Sequence, residues 1–221
     1  MKLHAGIILD GNRRFARKLG IKAWKGHEFG AKKVEKLFDW AKELDIGELT
    51  LYCFSLDNFK RDKEEVEYLI NIFKKWFRRF RNDKRINEDN IRIVFLGDLK
   101  RFDDELQMIM QEISEKTKNY KKFRINFLMG YDGRQEILNA VQKIIDNNGA
   151  INEDNITKNL SVGEPDFIIR TGGEIRTSGF LPWQTIYSEW FFLDKLWPEI
   201  EKEDLEKCIN EFKKRGRRFG Q

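Results

Sequence analysis

Arg170 and Arg176 stand six residues apart with Gly172 and Gly173 between them, directly after the apolar run Phe167-Ile168-Ile169. Two guanidinium forks and a turn without side chains are what a diphosphate requires. The forks donate paired hydrogen bonds to phosphate oxygens, and a bare turn lets backbone N–H groups approach them too. The same arginines would also serve as surface ion-pair residues around a plain turn. Asp10 ends a second apolar run, Gly6-Ile7-Ile8-Leu9, and opens "DGNRR". A lone carboxylate at a strand end suits Mg²⁺, which keeps several waters and takes substrate phosphates; an aspartate capping the next helix is the alternative. His27, in "GHEFG", lies near a helix start, where ring and helix N-terminus could meet a phosphate or where the histidine is simply on the surface.

These groups need a scaffold that brings distant segments to one edge. Strand-like runs are read at His4 to Leu9, Leu49 to Phe54, Ile91 to Leu96, Arg124 to Met129, Asp166 to Ile169 and Glu189 to Leu193. Helical periodicity falls between most of them, at Phe29 to Leu44, Lys63 to Phe80, Asp103 to Lys118 and Gly133 to Asn147. Strand and helix in alternation predict an α/β fold: one domain over 1–221 with an open, mostly parallel six-stranded sheet flanked by helices. Ligands of such sheets bind beyond the carboxyl ends of the strands. Three strand ends there offer "DGNRR", "FSLDNFKR" (Phe54 to Arg61) and "RTGGEIR" (Arg170 to Arg176), converging carboxylate, amide, hydroxyl and guanidinium groups. The polar stretch Asn147 to Gly163 is the nearest thing to a linker.

Composition narrows the class. With 40% apolar and 36% charged residues the chain is a globular one with a heavily solvated surface, and its 42 basic against 37 acidic side chains, a net +5, favour acidic partners. Two cysteines, Cys53 and Cys208, give no disulfide framework, and two histidines without metal-ligand spacing give no zinc site. The longest apolar run near the start, Ala5 to Leu9, is too short for a secretory segment or a membrane span, which predicts a cytosolic protein. The helix of Val66, Leu69, Ile70, Phe73, Phe77 and Phe80 carries an apolar stripe, and "KKWFRRFRNDKR" (Lys74 to Arg85) mixes basic and aromatic residues in a way that fits an anionic membrane, nucleic acid, or only a solvated face. "FDDEL" at Phe102 to Leu106 reads as a charged helix start rather than a metal motif.

Taken in order, "GIILDGNRRFA", "GHEFGA", "YCFSLDNFKR", "GYDGRQEI", "DFIIRTGGEIRTSGFLPWQTIYSEWFF", "LWPEI" and the terminal "RRFG" resemble the cis-prenyltransferases, the undecaprenyl and dehydrodolichyl diphosphate synthase family. The resemblance implies an enzyme that adds isopentenyl diphosphate to an allylic prenyl diphosphate with Mg²⁺, making cis double bonds and releasing pyrophosphate. It implies that Asp10 assists the metal and ionisation, that Gly11, Asn12, Arg13, Arg14 and His27 cradle the allylic diphosphate, and that Ser55, Asn58, Phe59 and Arg61 lie around the reacting centre. Arg170, Arg176 and Ser178 would hold isopentenyl diphosphate, and Glu189 would serve the metal or the integrity of the pocket. Arg218 and Gly220 match the family's C-terminal RxG, which reaches toward the diphosphate site within a homodimer. Peripheral membrane contact follows from the lipid product, and nucleic acid is not expected as a partner. The chain departs from the family at Phe15, where tryptophan is usual, at Ala23, where a basic residue is usual, at Ile175, where bacterial members often carry histidine, and at "SGFLPWQ" for the commoner "SNFLLWQ". Some relatives on this fold join prenyl units head to middle, and others are non-catalytic partner subunits that typically lose the strand-one aspartate, which is intact here.

Overall fold

In the computed structural model, which describes residues 2–215, six strands form one sheet: β1 (Leu3–Ile8), β2 (Ile46–Ser55), β3 (Ile91–Leu96), β4 (Phe123–Tyr131), β5 (Phe167–Arg170) and β6 (Glu189–Phe192). Their order is β3-β4-β2-β1-β5-β6, and every neighbouring pair is parallel. The sheet expected to be mostly parallel is parallel throughout. Strands buried on both faces read as continuous apolar runs, as "FLMGY" in β4 and "FII" in β5 do.

The connecting helices are α1 (Asn12–Lys18), α2 (Gly26–Glu43), α3 (Lys63–Asn82), α4 (Lys84–Glu88), α5 (Asp104–Thr117), α6 (Gly133–Asp146), α7 (Glu153–Asn159) and α8 (Lys202–Lys214). Local chemistry sets several of their ends. Asp103 accepts from the Leu106 N–H at 3.0 Å to start α5, so "FDDEL" is the charged helix start its sequence suggests. Asp132 accepts from the Arg134 and Gln135 N–H groups to start α6. In α3, Glu64 and Glu65 occupy the first turn and Arg79 and Arg81 the last, each on the favourable side of the helix dipole.

Successive strand residues point to opposite faces, and the core divides accordingly. Ile7 and Ile169 join Leu37, Leu69, Phe77 and Ile109 in a large cluster under α2, α3 and α5. Ile8 and Ile168 join Phe180, Leu181 and Val162 in a smaller cluster on the other side. The stretch with linker-like composition instead holds α7, capped by Asn152 and anchored by buried Ile156.

Candidate active site

β1 and β5 are neighbours whose onward connections run opposite ways, toward β2 and toward β6, so the crevice beyond their carboxyl ends is the switch point of the sheet. Asp10 enters it from β1 and Arg170 from β5. Arg170 Nη2 donates to Asp10 Oδ2 at 2.8 Å and Arg14 Nη2 to Asp10 Oδ1 at 3.2 Å. Arg170 is only 3% exposed, and its Nη1 donates to Ser178 Oγ at 2.7 Å and to the Arg176 carbonyl. Two glycines with positive φ, one after each strand, let the backbone pack closely here. Gly172, at φ +90°, would put a Cβ 2.6 Å from Arg14 Nη2, and Gly11, at φ +111°, would put one 2.9 Å from Leu196 Cα.

The two arginines therefore differ in kind. Arg170 is spent on holding Asp10 and the β5–β6 loop together, with Nε buried and unpartnered. Arg176 is 58% exposed at its side chain, pairs among the described residues only with Glu174, and lines the mouth with Ser178. Arg176, exposed and held by one ion pair, is the less committed of the two guanidiniums.

On the opposite wall, Asn12 Nδ2 donates to the Leu9 carbonyl at 3.1 Å while its Oδ1 is buried without a partner. His27 Nε2 is likewise buried and unpartnered, and burial, then the charges of Arg61 and Arg13, push its pKa down to about 3. The imidazole is neutral at physiological pH. Ser55 and Asn58 bracket the short turn after β2, where the Ser55 N–H donates to Asn58 Oδ1 at 3.2 Å. Arg61 and Arg13 both converge on Glu65, at 2.9 and 3.6 Å. Glu65 is 1% exposed and does not stand out in the sequence, where "RDKEEV" reads as an ordinary acidic helix start.

Behind this polar mouth the cavity, about 580 Å³ in volume, runs on into hydrocarbon. Leu69, Ile72 and Phe73 of α3 wall it, opposite Ala31 and Val34 of α2, and Trp76, Phe77, Phe80 and Phe127 line its inner reaches. The apolar stripe of α3 is thus both core and wall. Its arginines are occupied: Arg78 pairs with Glu105, Arg79 with Glu35 and Arg81 with Glu112. With Trp76, Phe77 and Phe80 turned inward, the basic-aromatic end of α3 has no aromatic face left for a membrane or nucleic acid.

Two expectations meet a different arrangement. Phe59 packs on Phe54 and Phe102, with ring centroids 4.7 and 5.1 Å away, and does not line the cavity. Its turn faces it into the core. Glu189 begins β6, in register with Phe167, so the strand's length separates it from Asp10, and its carboxylate accepts from Arg215 at 2.7 Å. Within one chain the two carboxylates cannot share an ion. Arg218 and Gly220 lie outside the described residues. Two further groups are ones the sequence does not flag: Tyr52, whose hydroxyl donates to the Ser178 carbonyl at 3.3 Å, and Trp197, whose backbone N–H donates to the Asp10 carbonyl at 2.9 Å and whose Nε1 donates to the Gly30 carbonyl at the same distance. Both stand in quoted strings, "YCFSLDNFKR" and "LWPEI", without a role read for them there.

A polar mouth with paired basic subsites, opening into an apolar tunnel, fits a ligand that is diphosphate at one end and hydrocarbon at the other. The family model described as undecaprenyl diphosphate synthase matches residues 8–220. The chain belongs to that family. It is 41% identical over 234 residues to an isoprenyl transferase of Thermus thermophilus, covering 100% of this chain and 89% of the relative. It is 42% identical over 227 residues to a tritrans,polycis-undecaprenyl-diphosphate synthase (geranylgeranyl-diphosphate specific) of Thermococcus kodakarensis, covering 98% and 86%. Among solved structures, lavandulyl diphosphate synthase from Lavandula x intermedia in complex with dimethylallyl diphosphate superposes with a TM-score of 0.93 at 28% identity, covering 100% and 98%. A probable undecaprenyl diphosphate synthase of Campylobacter jejuni gives 0.86 at 30%, covering 100% and 99%. The fold is that of the cis-prenyltransferases, and the chain is an enzyme of that kind.

The donor set also bears on Mg²⁺. No cluster of three or more His, Cys, Asp or Glu occurs among the described residues. Mg²⁺ takes few protein carboxylates and keeps waters and substrate phosphates. Among the described residues Asp10, Asp57 and Asp132 line the cavity, and Asp10 is the one beside Arg14 and Arg170, which hold both of its oxygens.

Proposed function

We propose that the crevice seats two diphosphates, an allylic one on the Asn12, His27, Arg13 and Arg14 side and isopentenyl diphosphate on the Arg176 and Ser178 side, with the growing chain in the tunnel. His27 Nε2, buried without a partner beside Arg61, with Arg176 and Ser178 across the same mouth of an apolar tunnel, carries this reading. The enzyme lengthens prenyl chains in cis: the allylic C–O bond breaks with its electron pair going to pyrophosphate, the isopentenyl double bond attacks the allylic carbon, and a proton leaves the isopentenyl unit. Charge accumulates on the departing pyrophosphate, so fixed donors aimed there lower the barrier. Gly11 and Gly172 let Leu196 and Arg14 pack close beside Asp10, and Arg14 and Asp10 are held in place by the Gly172 carbonyl and Arg170. Bound through Asp10 and the phosphates, Mg²⁺ would supply further positive charge to the same oxygens. Neutral His27 donates a hydrogen bond without adding to the cationic field. Ser55, Asn58 and Arg61 border the reacting carbons.

Elongation rather than a single condensation is favoured by the tunnel, whose apolar wall continues from Leu69 through Ile72, Phe73, Trp76 and Phe77 to Phe80. The enzyme works as a homodimer in this reading, with exposed Leu138 and Ile145 of α6 and nearby Ile186 offering an apolar face to a second copy. No helix among the described residues is long and apolar enough to cross a membrane, and we place the enzyme in the cytoplasm with peripheral contact at the bilayer. The test is incubation with labelled isopentenyl diphosphate, Mg²⁺ and ten-, fifteen- or twenty-carbon allylic diphosphates, resolving product length and double-bond geometry. A cis ladder supports elongation and identifies the primer; a single branched product would replace it with a one-step condensation.

A further inference from the structure

Residues 13–36 hold nine basic and two acidic side chains. Five of the nine pair with carboxylates of other elements: Arg13 with Glu65, Arg14 with Asp10 and Glu174, Lys18 with Glu199, Lys22 with Glu64 and Lys33 with Glu201. The other four, Arg17, Lys25, Lys32 and Lys36, are the cations this segment presents to solvent without a carboxylate partner among the described residues. This segment comprises α1, the short turn Ala23–Lys25 and the first three turns of α2. It also exposes apolar side chains: Leu19 is 50% and Phe29 37% exposed. Leu19, the C-cap of α1, follows Phe15 by one turn, and the Phe15 and Phe29 rings pack at 5.2 Å, which joins them into one ridge. Lysines flank it. Lys32 stands 5.8 Å from the Phe29 ring and Lys22 5.0 Å from the Trp24 ring. From the N-cap Lys25 into α2, Phe29, Lys32 and Lys36 follow at helical spacing.

We propose that this corner is the surface by which the enzyme docks on an anionic bilayer. A ridge of leucine and phenylalanine rimmed by unpaired lysines matches an interfacial surface, in which apolar groups enter the acyl boundary and cations meet anionic headgroups. The end of α3 does not have this form, since its aromatics face the tunnel and its arginines are paired. The position also matters. Asn12, His27, Gly30 and Ala31 of the same α1 and α2 line the cavity, so docking here brings the tunnel mouth to the lipid that would receive the product. This last step rests on the prenyl elongation reading, whereas the docking itself does not.

Vesicle co-sedimentation of the full-length protein separates the two. Vesicles of phosphatidylcholine with about a third phosphatidylglycerol should carry down the wild type, and phosphatidylcholine alone should not. Each lysine near an anionic surface contributes about fivefold, so Lys25→Gln/Lys32→Gln should lower partitioning roughly 30-fold. Leu19→Glu/Phe29→Glu should abolish it, and Lys75→Gln/Arg78→Gln on α3 should leave it unchanged. Single-turnover condensation in detergent should be the same for all of these variants. Equal binding to neutral vesicles, unaltered binding by the α1–α2 variants, loss through the α3 pair, or tighter binding to single-stranded RNA than to vesicles would each overturn the assignment. Loss of condensation in the wild type with vesicle binding intact would count against the elongation reading alone.

Discussion

At the scale of residues, His27 gives the most direct measurable consequence. Its pKa is lowered from the usual histidine value to about 3, chiefly by burial. Between these limits the unfolded chain takes up a proton that the folded one refuses, so stability is fully present above about pH 6.5 and declines as the pH falls toward 3. The slope from this one group is up to about 1.4 kcal/mol per pH unit. His27→Gln should therefore lose less stability than the wild type between pH 6.5 and 4 in urea titrations; parallel profiles would show that the ring is not buried as described. Buried His4, also lowered by desolvation, keeps a similar dependence in both proteins. Asp10→Asn retains an acceptor for Arg170 but removes the charge, and turnover should fall roughly 10²- to 10³-fold with the fold intact by circular dichroism. Arg176→Ala should raise KM for isopentenyl diphosphate about tenfold while leaving that of the allylic diphosphate near normal, since a charge-assisted bond contributes about 1.5–3 kcal/mol. An unchanged KM would remove Arg176 from the pocket.

Elements explain why some of this is legible in the sequence and some is not. Asp10 and Arg170 end strands, and strand ends in a parallel sheet share an edge, so their meeting can be read without coordinates. The division of labour between Arg170 and Arg176 cannot, because it depends on how the β5–β6 loop folds back. Glu65 is hidden for the same reason: its burial comes from Arg13 of α1 and Arg61 of the preceding turn, which only the packing of α1 near α3 brings together. Helices α2, α3, α5 and α6 announce themselves by apolar periodicity. The short α1, α4 and α7 bury one or two side chains each, too few for a pattern, whereas α8 carries a legible stripe of Leu205, Cys208, Ile209 and Phe212 at helical spacing that the reading of strands and helices above leaves out. Glu65→Gln should free two guanidiniums at the mouth and raise KM for the allylic diphosphate several-fold more than that for isopentenyl diphosphate. Equal effects on both would indicate a general loss of structure.

For the whole molecule, the parallel order β3-β4-β2-β1-β5-β6 puts both diphosphate subsites at one switch point and leaves α2 and α3 to enclose a tunnel beside it. Each five-carbon unit added there gains roughly 4 kcal/mol of apolar affinity, so release of a long product slows without lipid or detergent. The dimer is tested by Leu138→Glu/Ile145→Glu: sedimentation velocity should show a monomer where the wild type sediments as a dimer, and two dimers would place the interface elsewhere. The claim that binds mouth to tunnel is that the chain grows toward Trp76. Replacing Trp76 with leucine opens the inner tunnel while leaving the diphosphate subsites untouched. The decisive measurement is the product ladder of Trp76→Leu beside the wild type in the same detergent. The account predicts a shift to longer cis chains with the first condensation unchanged; an identical ladder, with the first condensation equally intact, would contradict it.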